Sequence, residues 1–379
     1  IKIFMKLSFM KLSIFLIIIF SMSGLNAISA DENPKSVCQT VDERSLSKVS
    51  LESYNELFYN VKKRKDRAGA LYTQEKWYDG LYFTLNQWTS SLELCAGGNE
   101  TECQTILEHI IFLSNQKNSL INWSGREDWD YIWESTFWNN TSSGVILYAY
   151  KVSSERIEVP TDVHNQIGKW MKKVIKSNKN LYLAGVNGSF NNHMLQWLRV
   201  NALYGLLWND KKALKISKKG LKTFMKKNKT KEGALKHEAV RGSRGLWYHG
   251  RAYLAIFSIA DTLEEAGILV YDNVFSNAIN KSVNFYIDAS ADNKLIYKWA
   301  KKKKNNDGNP KVQEQANTGN SWVGIFINNL GDAYPDTVTK LYKSETIQKY
   351  FFESLDNEDA GFWEVSDSEC FYPVDRQGK

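Results

Sequence analysis

Residues 191–206 read Asn-Asn-His-Met-Leu-Gln-Trp-Leu-Arg-Val-Asn-Ala-Leu-Tyr-Gly-Leu, and this stretch decides how the chain folds. Its apolar residues recur at spacings of three and four, as on one face of an α-helix. They are Leu195, Leu198, Ala202 and Leu206. An asparagine directly before such a run favours the N-cap position. The stretch therefore predicts a helix that begins near Asn191-Asn192-His193.

The same helical periodicity continues outward along the chain, which contains only five prolines. No strong strand signal and no glycine-rich nucleotide loop interrupts it. We therefore predict an all-α fold, an incomplete α/α toroid of antiparallel helices, with a plain helical bundle as the alternative. The segments 181–190 and 298–309 are predicted to be loops. The other predicted helices cover residues 71–94, 101–120, 145–152, 163–175, 213–226, 256–266 and 321–330.

The first 30 residues have the composition of a secretory signal peptide. They contain three lysines, no acidic residue and a mostly apolar run over 12–20 that is too short to span a bilayer. We expect cleavage near Ala30, a single domain over residues 31–379, and a periplasmic or secreted protein that is not held in a membrane. A monomer is expected.

The four cysteines lie in the predicted mature chain, where export would allow disulfides to persist. We predict that Cys95 pairs with Cys103 across a short loop, and that Cys38 pairs with Cys370 near the two ends of the chain. The cysteine spacings match no zinc motif.

Charge indicates the class of partner. The formal net charge of +7 becomes +4 when the three lysines of the leader are subtracted. Because the basic residues are dispersed in an exported chain, we exclude nucleic acid and favour an anionic polysaccharide. The basic run at 62–67 either contacts such a polymer or forms a solvated connection between helices.

A second polar cluster follows about fifty residues after His193 and includes Arg241, Arg244, Tyr248 and His249. Removing the proton beside a uronate carboxylate requires positive charge on that carboxylate and a nearby base. Arginine and an amide supply the first, and histidine or a tyrosine beside arginine supplies the second. Each residue also has a structural interpretation, as a surface charge, a cap or a core aromatic.

The two clusters together resemble alginate lyases of polysaccharide lyase family 5. The matching residues are Asn191, Asn192, His193, Gly233, Ala234, Leu235, Glu238, Arg241, Gly242, Arg244, Leu246, Tyr248 and His249. The resemblance implies β-elimination on mannuronate-rich alginate, on an incomplete α/α toroid and without a metal or other cofactor. It implies that Asn192 and Arg241 neutralise the carboxylate while His193 and Tyr248 share the acid and base work.

The remaining substrate contacts are predicted at Arg64, Arg67, Trp197, Arg244 and His249. Relatives carry a tryptophan three residues after the motif histidine, where this chain has Gln196 and places Trp197 one position later. That shift leaves another polyuronate, such as glucuronan, as an alternative substrate.

Two other classes of function compete with a lyase. A non-catalytic carbohydrate-binding protein would tolerate loss of His193 or Tyr248, and this chain retains both. A zinc hydrolase is disfavoured because the five histidines form no His-x-x-x-His arrangement.

Overall fold

The computed structural model describes residues 45–51, 87–116, 120, 129–185, 191–300, 309, 311–313 and 322–348. The chain divides into two units, Ile1–Val37 and Cys38–Lys379, and every described residue lies in the second. The predicted signal peptide and the predicted Cys38–Cys370 pair lie outside the described residues.

The described residues are mostly helical, and an isolated bridge between Lys229 and Leu235 is the only β pairing among them. Residues 87–96 are also helical, and short 3-10 turns cover Leu46–Lys48 and Gly242–Arg244. The α-helices are α1 (Glu100–Asn115), α2 (Trp129–Arg156), α3 (Thr161–Gly185), α4 (Asn192–Leu207), α5 (Lys211–Asn228), α6 (Lys236–Ala239), α7 (Gly245–Glu265), α8 (Asn273–Ala291), α9 (Lys294–Ala300), α10 (Trp322–Leu330), α11 (Pro335–Lys343) and α12 (Glu345–Ile347).

Several predicted boundaries were wrong. Helix α3 continues to Gly185, through half of the predicted loop at 181–190, because leucine and alanine there are good helix formers. Helix α9 covers the first three residues of the predicted loop at 298–309. The predicted helix at 145–152 is part of the much longer α2, which passes through Gly144 without ending.

Side-chain caps explain where several helices begin. Asn99 accepts the Glu102 N–H at 3.2 Å at the start of α1. Asp210 accepts two N–H groups of α5, each at 3.0 Å, and Asp272 accepts the Phe275 N–H of α8 at 2.9 Å. Such caps satisfy amide groups that have no partner within the helix.

Helix α4 lies at the centre of the described unit. Its predicted apolar face packs with α5, α7 and α8 in one core cluster, which includes Leu195 and Leu198. Val200 and Leu203 belong to a second cluster with α1, α2 and α3. Thirteen of the sixteen residues of α4 are buried, so the helix that carries Asn192 and His193 is held on several sides.

The predicted disulfide between Cys95 and Cys103 is present, and both sulfurs are buried. It joins the helical segment 87–96 to α1. No helix within the described ranges is long and apolar enough to cross a membrane.

Candidate active site

The first turn of α4 carries Asn192 and His193. Asn191 occupies the N-cap position, as expected, but its side chain makes no capping hydrogen bond. The backbone N–H of Asn192 instead donates to Glu238 Oε1 at 2.8 Å. Because a helix N-terminus carries partial positive charge, a carboxylate there is stabilising. Glu238, which is fully buried, therefore replaces the local cap and fixes where α4 begins.

The side chain of Asn192 is 1% exposed, and its Oδ1 atom has no hydrogen-bond partner within the described part of the chain. A buried polar atom left unpaired costs about 1–3 kcal/mol, so such atoms are rare in folded proteins. The amide of Asn192 thus retains hydrogen-bonding capacity next to His193.

Arg241 and Tyr248 contact each other directly. A guanidinium nitrogen of Arg241 donates to the phenol oxygen of Tyr248 at 2.8 Å, and Arg241 Cζ lies 4.0 Å from the centre of the tyrosine ring. The two residues are seven positions apart in the sequence, and the structure brings their side chains together. The segment between them is a 3-10 turn followed by the first turn of α7, not one continuous helix. The contact holds a positive charge against the oxygen that would carry negative charge in a tyrosinate.

The turn between the two residues is fixed by Gln313. Its Nε2 donates to the carbonyl of Gly242 at 2.9 Å, and its Oε1 accepts the N–H of Leu246 at 3.2 Å. Gly242 has a φ of +63°, a conformation that side chains with a Cβ rarely adopt. A Cβ on Gly245 would lie 2.8 Å from Ile296 Cδ1. Gly242 and Gly245 therefore allow the backbone conformation that brings the side chains of Arg241 and Tyr248 together.

His193 is half-buried and carries no charge at neutral pH. Its pKa is lowered to about 3, mainly because burial removes solvent from the ring and also because of the positive charges of Arg241 and Arg251. These charges show that both arginines lie in the electrostatic environment of the imidazole. A neutral imidazole can accept a proton or donate a hydrogen bond, so His193 suits either the base or an orienting role.

Arg251 was not predicted as part of the site. Its side chain is 2% exposed, and its guanidinium lies over the ring of Trp247, with 3.9 Å between Cζ and the ring centre. The signal in the sequence is the spacing of four residues between Trp247 and Arg251, which places them on the same face of α7. Arg251 is therefore a buried cation in the electrostatic environment of His193, in addition to the half-buried Arg241.

His249 has a structural place, which argues against the substrate-binding role predicted for it. The ring is fully buried, Nε2 accepts the Leu235 N–H at 2.9 Å, and Nδ1 donates to the Gly245 carbonyl at 2.8 Å. Both nitrogens are therefore occupied by the backbone. His249 ties the Gly-Ala-Leu segment to the start of α7.

The same segment explains Gly233. Its φ is +109°, and a Cβ there would lie 2.5 Å from the Lys281 carbonyl oxygen. Only glycine fits this close approach. The segment then leads through Leu235 into α6, which carries Glu238.

All five histidines of the chain have a pKa below the ordinary value because burial disfavours the charged ring. For His109 and His249 the pKa is lowered to about 4. Between pH 6.5 and 4 the unfolded chain therefore binds protons that the folded chain does not, and stability falls as pH falls. We expect the free energy of unfolding by denaturant to be lower at pH 5 than at pH 7.5. A His109→Phe variant should lose less over this window, and an unchanged value in the wild type would contradict the prediction.

Trp197 and Arg244 differ in accessibility. Trp197 is 5% exposed, lies in the core cluster, and its indole N–H donates to the Ile175 carbonyl at 3.4 Å. The predicted sugar contact at Trp197 is therefore not supported, because the ring faces the core. Arg244 is exposed, and its Cζ lies 6.0 Å from the Trp247 ring centre.

Arg64 and Arg67 lie outside the described residues, so their predicted contacts have no structural counterpart. Within the ranges that the structure describes, no group of three His, Cys, Asp or Glu side chains is arranged to hold a metal ion.

The chain is similar to a known protein family. Residues 134–296 match the family model for alginate lyase, and both polar clusters fall inside this range. The resemblance drawn from those clusters is thereby confirmed. No curated protein sequence matches the chain.

Solved structures of alginate lyase A1-III from Sphingomonas species A1 share the fold. One is 17% identical with a TM-score of 0.57, covering 69% of this chain and 71% of that chain. A tyrosine-to-phenylalanine variant complexed with tetrasaccharide is 15% identical with a TM-score of 0.59, covering 80% and 83%. A histidine-to-alanine variant complexed with tetrasaccharide is 16% identical with a TM-score of 0.54, covering 68% of each chain. The predicted α/α toroid is thereby confirmed.

Proposed function

Residues 134–296 carry the alginate lyase pattern on the fold of alginate lyase A1-III, and from this premise we propose that the chain is a polysaccharide lyase that cleaves alginate by β-elimination. We further propose a preference for mannuronate-rich segments. The observation that carries the proposal is the contact between Arg241 and Tyr248, which places a guanidinium and a phenol at one point.

Elimination begins at the uronate carboxylate, whose negative charge makes the neighbouring C5 proton very weakly acidic. We assign its neutralisation to Arg241 and to the side-chain amide of Asn192, whose Nδ2 group would donate a hydrogen bond to the carboxylate. Fixed donors of this kind stabilise the charge that develops when the proton leaves, and they act most strongly where water is excluded. Arg251 adds positive field at the neighbouring His193.

We assign the transfer of the C5 proton to Tyr248. Tyr248 would start as a tyrosinate beside Arg241, and its oxygen would take the C5 proton. The C4–O bond would break as the C4=C5 double bond forms, and the phenol so formed would give this proton to the departing oxygen, which restores the tyrosinate. In mannuronate both groups lie on the same side of the ring, so one residue can perform both transfers. His193, held neutral, would accept a hydrogen bond and orient the site.

The variants of A1-III that were solved with a tetrasaccharide replace one histidine and one tyrosine. They support an oligosaccharide as the ligand class for this chain. Export to the periplasm or outside the cell, and action as a monomer, belong to the same proposal.

The proposal is tested by comparing the rates of product formation on three polymers. The wild-type protein should generate the ultraviolet-absorbing unsaturated uronate fastest on polymannuronate, more slowly on polyguluronate, and least on glucuronan. A Tyr248→Phe sample serves as the enzyme-specific blank. Faster reaction on glucuronan would replace alginate as the substrate, and no product from any polymer would leave a carbohydrate-binding protein as the better interpretation.

A further inference from the structure

The outward face of α5 is strongly basic. Helix α5 contains eight lysines and no acidic residue over Lys211–Asn228, while Leu214, Leu221 and Phe224 face the core. A solvated helix face usually mixes charges of both signs along its length. The absence of acidic residues on α5 separates it from that ordinary pattern.

Five of these lysines line one open groove together with Thr223. They are Lys215, Lys218, Lys219, Lys222 and Lys226. Their spacings of three, four, seven and eleven residues place them in one stripe, which extends about 16 Å along the helix axis. We call this surface the lysine groove.

The charges of the lysine groove are mostly uncompensated. Lys222 lies 3.5 Å from Asp272, whereas the other four lysines form no ion pair with any described residue. Like charges four residues apart on a helix destabilise it by about 0.2–0.5 kcal/mol for each pair. The repulsion along the groove is therefore a cost to α5 that a bound anion would relieve.

The side chains that line the lysine groove favour one class of polyanion over another. A linear stripe of lysines fits a linear polymer with regularly repeated negative charge, since ammonium groups act as point charges without demanding one geometry. Among the described residues, no aromatic side chain lines the groove, although proteins that bind single-stranded nucleic acids usually stack the bases on aromatic rings. The groove therefore fits a carboxylated polysaccharide better than a nucleic acid.

Hydrogen bonds between helices also connect the helix of the lysine groove to the candidate active site. Lys226 is two residues from Asn228, whose Oδ1 accepts the His237 N–H of α6 at 2.8 Å. Helix α6 in turn carries Glu238, which holds the start of α4. A polymer bound along α5 would thus lie on the helix that supports the site.

We propose that the lysine groove is a second, non-catalytic binding site for anionic polysaccharide, which keeps the polymer on the protein between cleavage events. The identity of the polymer as alginate rests on the proposed function. The groove itself requires only repeated carboxylates.

The test replaces Lys215, Lys219 and Lys226 together by glutamine. A matched control replaces Lys294, Lys311 and Lys343, which are exposed, lie outside the groove and change the net charge equally. Binding to long-chain alginate is measured by titration calorimetry at two salt concentrations, with Tyr248→Phe as the common background to prevent cleavage. We expect the groove variant to bind about tenfold more weakly than the control and to depend less on salt.

Each outcome decides the proposal. Equal losses in the two variants would overturn it, because net charge alone would then explain binding. Loss of binding to double-stranded DNA without loss of binding to alginate would assign the groove to another partner and overturn it as well. Groove-dependent binding of alginate by a protein with no lyase activity would support the groove while refuting the proposed reaction.

Discussion

Replacing Tyr248 by phenylalanine is expected to lower kcat on alginate by about 10²- to 10⁴-fold, the range that one acid–base group supplies. The change removes only the oxygen that Arg241 contacts at 2.8 Å. The ring remains, and so does its contact with the guanidinium at 4.0 Å. Steady-state rates of unsaturated product formation on polymannuronate measure the effect.

A tyrosine elsewhere provides the matched control. Tyr334, at the start of α11, donates its phenol hydrogen to Asn277 Oδ1 at 3.0 Å and is likewise engaged in one side-chain hydrogen bond. Tyr334→Phe should retain nearly full kcat. If Tyr248→Phe retained more than a tenth of the wild-type kcat, the base would have to be reassigned to His193.

The contact between Arg241 and Tyr248 was predictable because the two residues are close in sequence. Seven residues of compact backbone bring two long side chains to one side, whether the segment is helical or, as observed, a 3-10 turn followed by a helix. The helix at Asn192 was predictable for a similar reason, since Leu195 and the residues spaced from it mark one apolar face.

The orientations of Trp197 and His249 were not predictable from the sequence. Helix α4 is buried on several sides, so its sequence does not mark a solvent-facing or ligand-facing side. The sequence around Trp197 therefore contains no pattern that would show that its ring points into the core. The orientation of His249 is set by hydrogen bonds to the backbone of Leu235 and Gly245. The sequence does not show which groups the two ring nitrogens of a histidine will contact.

The role of Glu238 depends on a contact across 46 residues, which no local pattern specifies. The sequence placed Glu238 three residues before Arg241 but gave it no function. The fold brings its carboxylate to the backbone of Asn192, at the first turn of the helix that presents His193. The two polar clusters of the sequence are therefore joined by a buried hydrogen bond.

Replacing Glu238 by alanine is consequently expected to affect stability and turnover together. A hydrogen bond to a charged group contributes about 1.5–3 kcal/mol, and its loss leaves the Asn192 N–H without that acceptor. We expect the free energy of unfolding to fall by a similar amount. Because Asn192 and His193 would no longer be fixed, kcat should fall by about tenfold or more even where the protein remains folded.

Glu238→Gln separates positioning from charge. The amide oxygen of glutamine can still accept the Asn192 N–H, so this variant should recover most of the kcat that Glu238→Ala loses, with KM nearly unchanged. Glu108→Gln, at an exposed position on α1, is the control for the substitution itself and should leave both constants unchanged. Equal kcat values for Glu238→Ala and wild type at a temperature where both are folded would show that the carboxylate supports the fold but does not position Asn192 and His193. A low kcat in both Glu238 variants would instead show that the negative charge, and not the hydrogen bond alone, holds the start of α4.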